Sequence, residues 1–384
     1  MRNDENAFSS NLLPLAEEIL FNLLESFISN KLKETDKGKL GSAMHAINSP
    51  SGVIIGSMLD YSLRKARLNC TDTDDKTPKW SIKERKAFEV LIEKEVQEFY
   101  MYFGWHRGNF YFLDYEWTNN LIKLIPNKDV QTIKSYFGCH LIYYNTSELD
   151  YLTFKDIYKK AVIENWQVVD STMGDNTIEL HATVFYIADY EDLNEGEIIT
   201  LLLEQGNIKK IRNIIHSLCF KYNQYYDELD SNGKVLFKRK IYKIWKHVLI
   251  LLGESKDIEA KDMPTLFYLV KFVDEFNEES CDLMKRTLNF VRHGRDFDEL
   301  IKNLNRLKIK GDIHKSSIHA CEIFIDAISN DFYSASIMEE EIIEFVDFLY
   351  KQDSQILKKY SNKICNQFTE KGQYFLRDLY EKYN

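Results

Sequence analysis

Residues 47–69, INSPSGVIIGSMLDYSLRKARLN, hold the first glycines in this sequence spaced as a ligand-cradling backbone would space them. A phosphate loop of the Walker type reads G-x-x-x-x-G-K-[ST] after a strand, so that backbone N–H groups face the phosphates and a lysine adds positive charge. Here no lysine follows Gly56 and no strand pattern precedes the stretch. The residues instead start a helix. Ser49 is suited to the N-cap, and Pro50 sits in the first turn, where its missing N–H costs nothing. Ile55, Met58, Leu59, Leu63 and Ala66 form a stripe for burial. Gly52 and Gly56, one turn apart, let another backbone approach closely. Arg64, Lys65 and Arg67 complement the negative end of the helix.

Other reactive residue types lack the spacing their chemistry needs. A zinc hydrolase wants two histidines one helical turn apart, and none of the nine obeys this; His314 and His319 are five apart. No metal and no cofactor is expected. Helical ribonucleases place an arginine and a histidine several residues apart; Arg212 and His216, in RNIIH, are one residue short of that gap. Beside Ile214, Ile215 and Leu218, His216 reads as a helix-face residue. Asp257, Glu259 and Lys261 can be forced onto a nuclease triplet, but no hydrophobic strand presents them. Cys139 adjoins His140, yet neighbours in a helix point about 100° apart, so Cys139 reads as a core thiol. No catalytic residues are assigned, and the chain is not expected to be an enzyme.

Two groups of residues suit binding. In the helix KVLFKRKIYKIWKHVLILL, residues 234–252, Arg239, Lys243 and Lys246 share a face opposite Phe237, Ile241, Ile244 and Val248. With Lys209, Lys210, Arg212 and Lys221 they make residues 207–250 net basic, a patch for an acidic partner or for nucleic acid. In WHRGNFYFLDYEW, residues 105–117, Trp117 reads as core, while Trp105, Arg107 and Tyr111 are candidates for partner contact, because large semi-rigid side chains bury much area at low entropic cost.

The elements that must carry these residues are helical. The chain has 384 residues, 44% of them hydrophobic, with 15 Gly and 5 Pro, too few breakers for a sheet of tight hairpins. Residues 13–31 place Ala16, Ile19, Leu20, Leu23, Leu24, Phe27 and Ile28 at helical spacing. Ser81 and Glu84 make a capping box ahead of Phe88, Leu91, Ile92, Val96 and Phe99. Residues 105–170 read as an irregular crossover, with a short strand the alternative. Further helices are expected near 176–190, 195–205, 207–226, 234–252, 264–276, 279–293, 295–307, 313–330, 337–351 and 353–369, then one to the C-terminus. Gly206 with Asn207 marks one boundary, and Ser336 with Glu339 reads as another capping box. Helix pairs every 35 to 45 residues or so are the pattern of an α-solenoid of HEAT or TPR type, with a compact irregular bundle as the alternative. The expected fold is therefore all-α, divided into 1–170 and 171–384.

The formal charge of −10 argues against a surface that binds phosphate backbones throughout. Six cysteines without paired spacing suggest free thiols in a reducing cytoplasm. The N-terminus, with acids where a signal peptide wants bases, predicts no leader, and no apolar run is long enough to span a bilayer. A cytoplasmic protein without membrane partners is expected.

Two segments together carry a resemblance. INSPSGVIIGSMLDYSLRKAR, and YMYFGWHRGNFYFLDYEWTNNLIKLIP with the downstream YLTFKDIYKKAV, resemble the C-terminal helical-repeat region of bacterial antiphage STAND NTPases of the Avs type and of related sirtuin-like defence proteins. The matching positions are Asn48, Gly52, Tyr61, Gly104, Leu113, Asp114, Trp117, Ile125, Pro126, Leu152, Tyr158 and Ala161. They cover residues 40 to 165 well and the helical remainder loosely. At position 51 serine stands where that pattern carries arginine. The resemblance implies a sensor: an α-solenoid that grips a phage structural protein, such as a terminase, portal or tail component, and switches on an effector or NTPase module. Since this sequence shows no such module, it reads as an excised sensor domain or a stand-alone relative, for which nucleic acid is a less favoured partner.

Overall fold

The computed structural model describes residues 9–31, 43–69, 76–143, 146–166, 177–255, 263–273, 275–290, 300–303, 305, 313–329 and 338–384. Among them every regular element is a helix, so the fold is all-α. The chain divides into two compact units, Met1–His181 and Ala182–Asn384, with the division inside the helix Thr177–Ile187. No helix of the described residues is long and apolar enough to cross a membrane.

The first unit opens on α1 (Leu13–Lys31), followed by α2 (Ala43–Asn48) and α3 (Pro50–Asn69). The cap expected at the start of α3 forms: Ser49 Oγ accepts from the Gly52 amide at 3.0 Å. A Cβ on Gly52 would lie 1.5 Å from the Ala46 carbonyl oxygen, and one on Gly56 would lie 2.7 Å from the Tyr102 hydroxyl. Both glycines therefore serve close packing. The α1 helix is anchored by Glu17, which accepts from the Tyr61 hydroxyl at 2.5 Å and from Lys83 Nζ at 3.0 Å. These bonds, Tyr61 first, hold the Glu17 carboxyl down at about 2, while burial raises the Tyr61 phenol to about 12. A carboxyl depressed in the folded state contributes stability above its unfolded value, and that contribution is lost as pH falls through the folded one. Stability should thus drop between about pH 4.5 and 2, and Glu17→Gln should flatten that part of a pH series of urea unfolding curves.

The helices α4 (Ile82–Glu93) and α5 (Gln97–Trp105) follow. The Ser81–Glu84 capping box forms as its spacing demands, and Glu84, fully buried, also meets Lys65 Nζ at 3.3 Å. The described part of residues 105–170 departs from the expected crossover and is mostly helical, beginning with the segment 105–117. That segment forms two short helices, α6 (Arg107–Leu113) and α7 (Tyr115–Leu124), separated by Asp114 alone. At φ −159° Asp114 interrupts the helix, and its carboxylate caps the next one at the Trp117 amide, 3.0 Å away. The polar residues that suggest a loop are thus breaks and caps. The aromatics between them turn inward: Trp80, Phe88, Phe99, Phe103, Phe110 and Trp117 form one cluster with ring centroids 4.9–6.5 Å apart. Trp117 is core, as its spacing implies. Then α8 (Val130–Tyr143) packs along α5, and α9 (Glu148–Ile163) and α10 (Thr177–Ile187) follow.

The second unit takes in the end of α10 and α11 (Ile198–Glu204), α12 (Ile208–Tyr225), α13 (Ser231–Glu254), α14 (Glu278–Leu288), α15 (Ile313–Ser329), α16 (Glu339–Tyr350), α17 (Gln355–Glu370) and α18 (Arg377–Tyr383). Residues expected to form an α-helix at 264–276 instead make a 3-10 helix, Pro264–Phe272. Leu266, Phe267, Leu269, Val270 and Phe272 are all buried, so this segment is apolar around its circumference and carries no one-sided stripe from which a period could be read. The helix α16 starts at Glu339 with Met338 in the cap position, and Ser336 lies outside the described residues. Most of the helix expected at 295–307 lies outside them as well.

Candidate functional site

The polar residues of the first unit converge on Arg107. It is 1% exposed and ion-paired with Asp150, itself fully buried, and donates to the Tyr136 hydroxyl at 3.3 Å. His140 Nε2 lies 4.0 Å from the Asp150 carboxylate. The Tyr158 hydroxyl and His181 Nδ1 are 2.5 Å apart, and the His140 and His181 rings pack edge to face. Asp150 is the third residue of α9, where its other oxygen accepts from the Ser147 amide and hydroxyl at 2.8 and 2.7 Å. Burial, and then the Arg107 charge, push the His140 imidazole well below its ordinary value; burial pushes the Tyr136 and Tyr158 phenols up. The imidazole of His140 is thus neutral near pH 7, and the opposite charges sit on Arg107 and Asp150. An arginine, a carboxylate, two imidazoles and two phenols could move protons for a substrate, but all six side chains are buried. The arrangement is a closed polar core.

This places Arg107 away from the surface role its sequence setting suggested: it is an interior cation, out of a partner's reach. Its guanidinium also lies over the Tyr111 ring, 5.6 Å from the centroid. Tyr111 is half-buried, with its hydroxyl on Asn119 at 2.9 Å, and Trp105 is half-buried, stacked on His106 at 4.6 Å. These two keep exposed edges that a partner can reach. Sequence reasoning missed Asp150, although Ser147-x-x-Asp150 is a readable capping box. Its second role, as the arginine's partner 43 positions away, has no local signature.

In the second unit Arg239, Lys243 and Lys246 do share one exposed face of α13. They line a groove of about 480 Å³ together with Tyr242, Phe272 and two acids, Glu275 and Glu279. Lys243 pairs with Asp192 at 2.5 Å, and Lys246 pairs with Glu279. The Lys243 hydrogen bond holds the Asp192 carboxyl below the usual carboxylate range. The pairs are about half exposed at both ends, where such contacts are worth at most about 1 kcal/mol, so an incoming carboxylate can exchange with the resident one at little cost. Lys240, within the same basic run, faces inward: it is 5% exposed and bonds Asp189 and the Tyr186 carbonyl, each at 2.6 Å.

The remaining sequence candidates are not brought together. His216 is exposed and packs on Tyr268, with ring centroids 5.5 Å apart. Asp257, Glu259, Lys261 and Cys70 lie outside the described residues. Among the described residues no group of three or more His, Cys, Asp and Glu side chains is placed to hold a metal ion. Cys139, Cys219, Cys281, Cys321 and Cys365 are buried, and burial raises the Cys281 thiol to about 11 and pushes Cys321 and Cys365 up. Buried, protonated thiols are poor nucleophiles. The folded chain should therefore react with a disulfide reagent such as DTNB slowly at these five positions and rapidly in denaturant. Burst labelling of any of the five in the native state would contradict the burial.

Compared with protein-family models, with curated proteins and with solved structures, the chain matches none.

Proposed function

We propose that this chain works by binding and not by turnover: an α-helical, solenoid-like sensor module of antiphage defence that recognises a phage structural protein of the terminase, portal or tail class. The observation that carries the reading is where the residues of the resemblance lie. Gly52 admits the Ala46 carbonyl, and Gly104 admits the Tyr136 carbonyl, which a Cβ would approach to 2.5 Å. Asp114 caps α7 and accepts from Trp80 Nε1 at 3.2 Å, and Tyr61, Leu113, Trp117, Ile125, Tyr158 and Ala161 are core. Leu152 is exposed and Asn48 caps locally onto the Met44 carbonyl. A pattern made mostly of packing residues belongs to a scaffold, and a shared scaffold of helices whose polar cluster is sealed favours surface recognition over catalysis.

The groove on α13 supplies the recognition chemistry. An acidic segment of a partner would take over Lys243 and Lys246 from their resident carboxylates and meet Arg239, in an interface on the order of 800 Å² per side; Trp105 and Tyr111, in the first unit, are separate candidates for contact. Co-expression with a panel of phage terminase, portal and tail proteins, followed by pull-down, tests this. One or more should be retained, and Arg239→Glu/Lys243→Glu/Lys246→Glu should reduce retention about tenfold or more.

The second reading is a helical nucleic-acid-binding module using residues 207–250, where ten Lys and Arg face three Asp and Glu. The pairing of Lys243 and Lys246 with acids weighs against it. It becomes the better reading if no panel protein is retained and the chain binds RNA or DNA with nanomolar affinity that collapses between low and moderate salt.

A further inference from the structure

The outer face of α1 is apolar and, among the described residues, exposed. Leu12, in the 3-10 turn ahead of the helix, and Leu15, Ile19 and Leu23 within it are 46%, 54%, 49% and 47% exposed. At ~100° per residue they fall within about 80° of arc. The inner side of the same helix is already used: Leu24 is buried, Glu17 bonds Tyr61, and Lys83 lies over the Phe21 ring at 4.1 Å. A helix with one packed side and a second exposed apolar stripe has a free seam.

The stripe runs at three-, four- and four-residue spacing and follows a coiled-coil seam as far as Ile19. With Leu12 and Ile19 at the first position of a heptad and Leu15 at the fourth, the next fourth position is Asn22 and Leu23 falls at the fifth, while Glu18 and Glu25 both fall at the seventh, the flanking place whose charge selects the partner. Both glutamates are exposed and neither has an ion-pair partner among the described residues. We infer that this face docks a helix of another protein, one with leucine-type residues at three- and four-residue spacing flanked by lysine or arginine. Charge separates this occupant from a second copy of the chain. Two α1 helices packed antiparallel would set glutamate against glutamate, and packed parallel they would set Glu18 beside Leu23 of the other copy, with no cation to meet. Four half-exposed side chains also fall short of the roughly 800 Å² per partner of a stable dimer. A single helix laid on the seam fits that extent.

The probe is a fluorescent peptide of about three heptads with leucine at the first and fourth positions and lysine on both flanks, beside a twin with glutamate on both flanks. Fluorescence anisotropy with the full chain should show the lysine peptide binding at least about tenfold more tightly than its twin. Ile19→Asp should abolish binding, and Leu152→Asp, an exposed change on α9, should not. Glu18→Lys/Glu25→Lys should reverse the preference between the peptides, a result that no loss of folding could imitate; unchanged circular dichroism completes the control. Equal binding of both peptides, binding of neither, or a wild-type dimer that Ile19→Asp turns monomeric would each overturn the inference. None of these changes touches the α13 groove, so this test and the pull-down with phage proteins succeed or fail separately.

Discussion

Replacing Asp150 with alanine is expected to cost the first unit about 4 kcal/mol, a loss that few single side-chain deletions reach. Removing one member of a buried ion pair leaves the other as an uncompensated interior charge, an effect of about 3–5 kcal/mol, and Asp150 is also the capping-box carboxylate of α9, which adds on the order of 1 kcal/mol. The guanidinium of Arg107 cannot relieve the loss by giving up its proton, because arginine stays charged in proteins. Urea unfolding followed by tryptophan fluorescence reads the effect. Arg107→Met/Asp150→Leu should lose markedly less than the sum of the two single changes, since it removes both charges together. Asp150→Asn retains a capping oxygen and so isolates the charge. A loss below about 1 kcal/mol for Asp150→Ala would mean that Arg107 finds another counter-charge.

The second large effect comes from adding atoms. A Cβ on Gly104 would lie 2.5 Å from the Tyr136 carbonyl oxygen and 3.0 Å from the His140 amide nitrogen, both backbone atoms of α8. Neither can swing aside as a side chain would, so Gly104→Ala must push α5 away from α8, the most extensive helix pairing in the first unit. Overpacking of this kind costs about 3 kcal/mol. The comparison is Gly108→Ala, four residues on, where a Cβ meets nothing within 4 Å. In the helix α6 that change should stabilise by roughly 0.5–1 kcal/mol. Opposite signs for two glycine-to-alanine changes so close in sequence would establish that approach of α8, and not helix propensity, sets the requirement at position 104. Losses of similar size at both would refute it.

The contrast between those two glycines also shows where sequence reading stops. Helix ends with side-chain caps were legible, because a cap is a local pattern: Ser49, Ser81 and the Gly206–Asn207 break stand where their residue types put them. The stripe of Arg239, Lys243 and Lys246 was legible for the same reason, since helical period alone aligns it. The segment 105–117 was not, because its two helices are too short to display a period and Asp114 resembles a loop residue until its cap is seen. Arg107 reads as a partner contact because a large semi-rigid side chain suits one, and only the fold brings Asp150 to it. The acids facing Lys243 and Lys246, Asp192 and Glu279, are 51 and 33 residues away, and no local pattern indicates that the stripe meets them.

Glu84 and Asp150 share a geometry with a kinetic consequence. Each is the third residue of its helix, each is fully buried, and each spends one carboxylate on its helix start and on a cation, Lys65 for the first and Arg107 for the second. Helix starts ordinarily fray ahead of everything else and trade their amide protons with solvent in brief local openings. Opening α9 at its first turn would strip the buried Arg107 of its counter-charge, so that turn should hold its deuterium label as long as the centre of the unit does, whereas the first turn of α4, whose Lys65 is part-exposed and keeps Glu17, should exchange sooner.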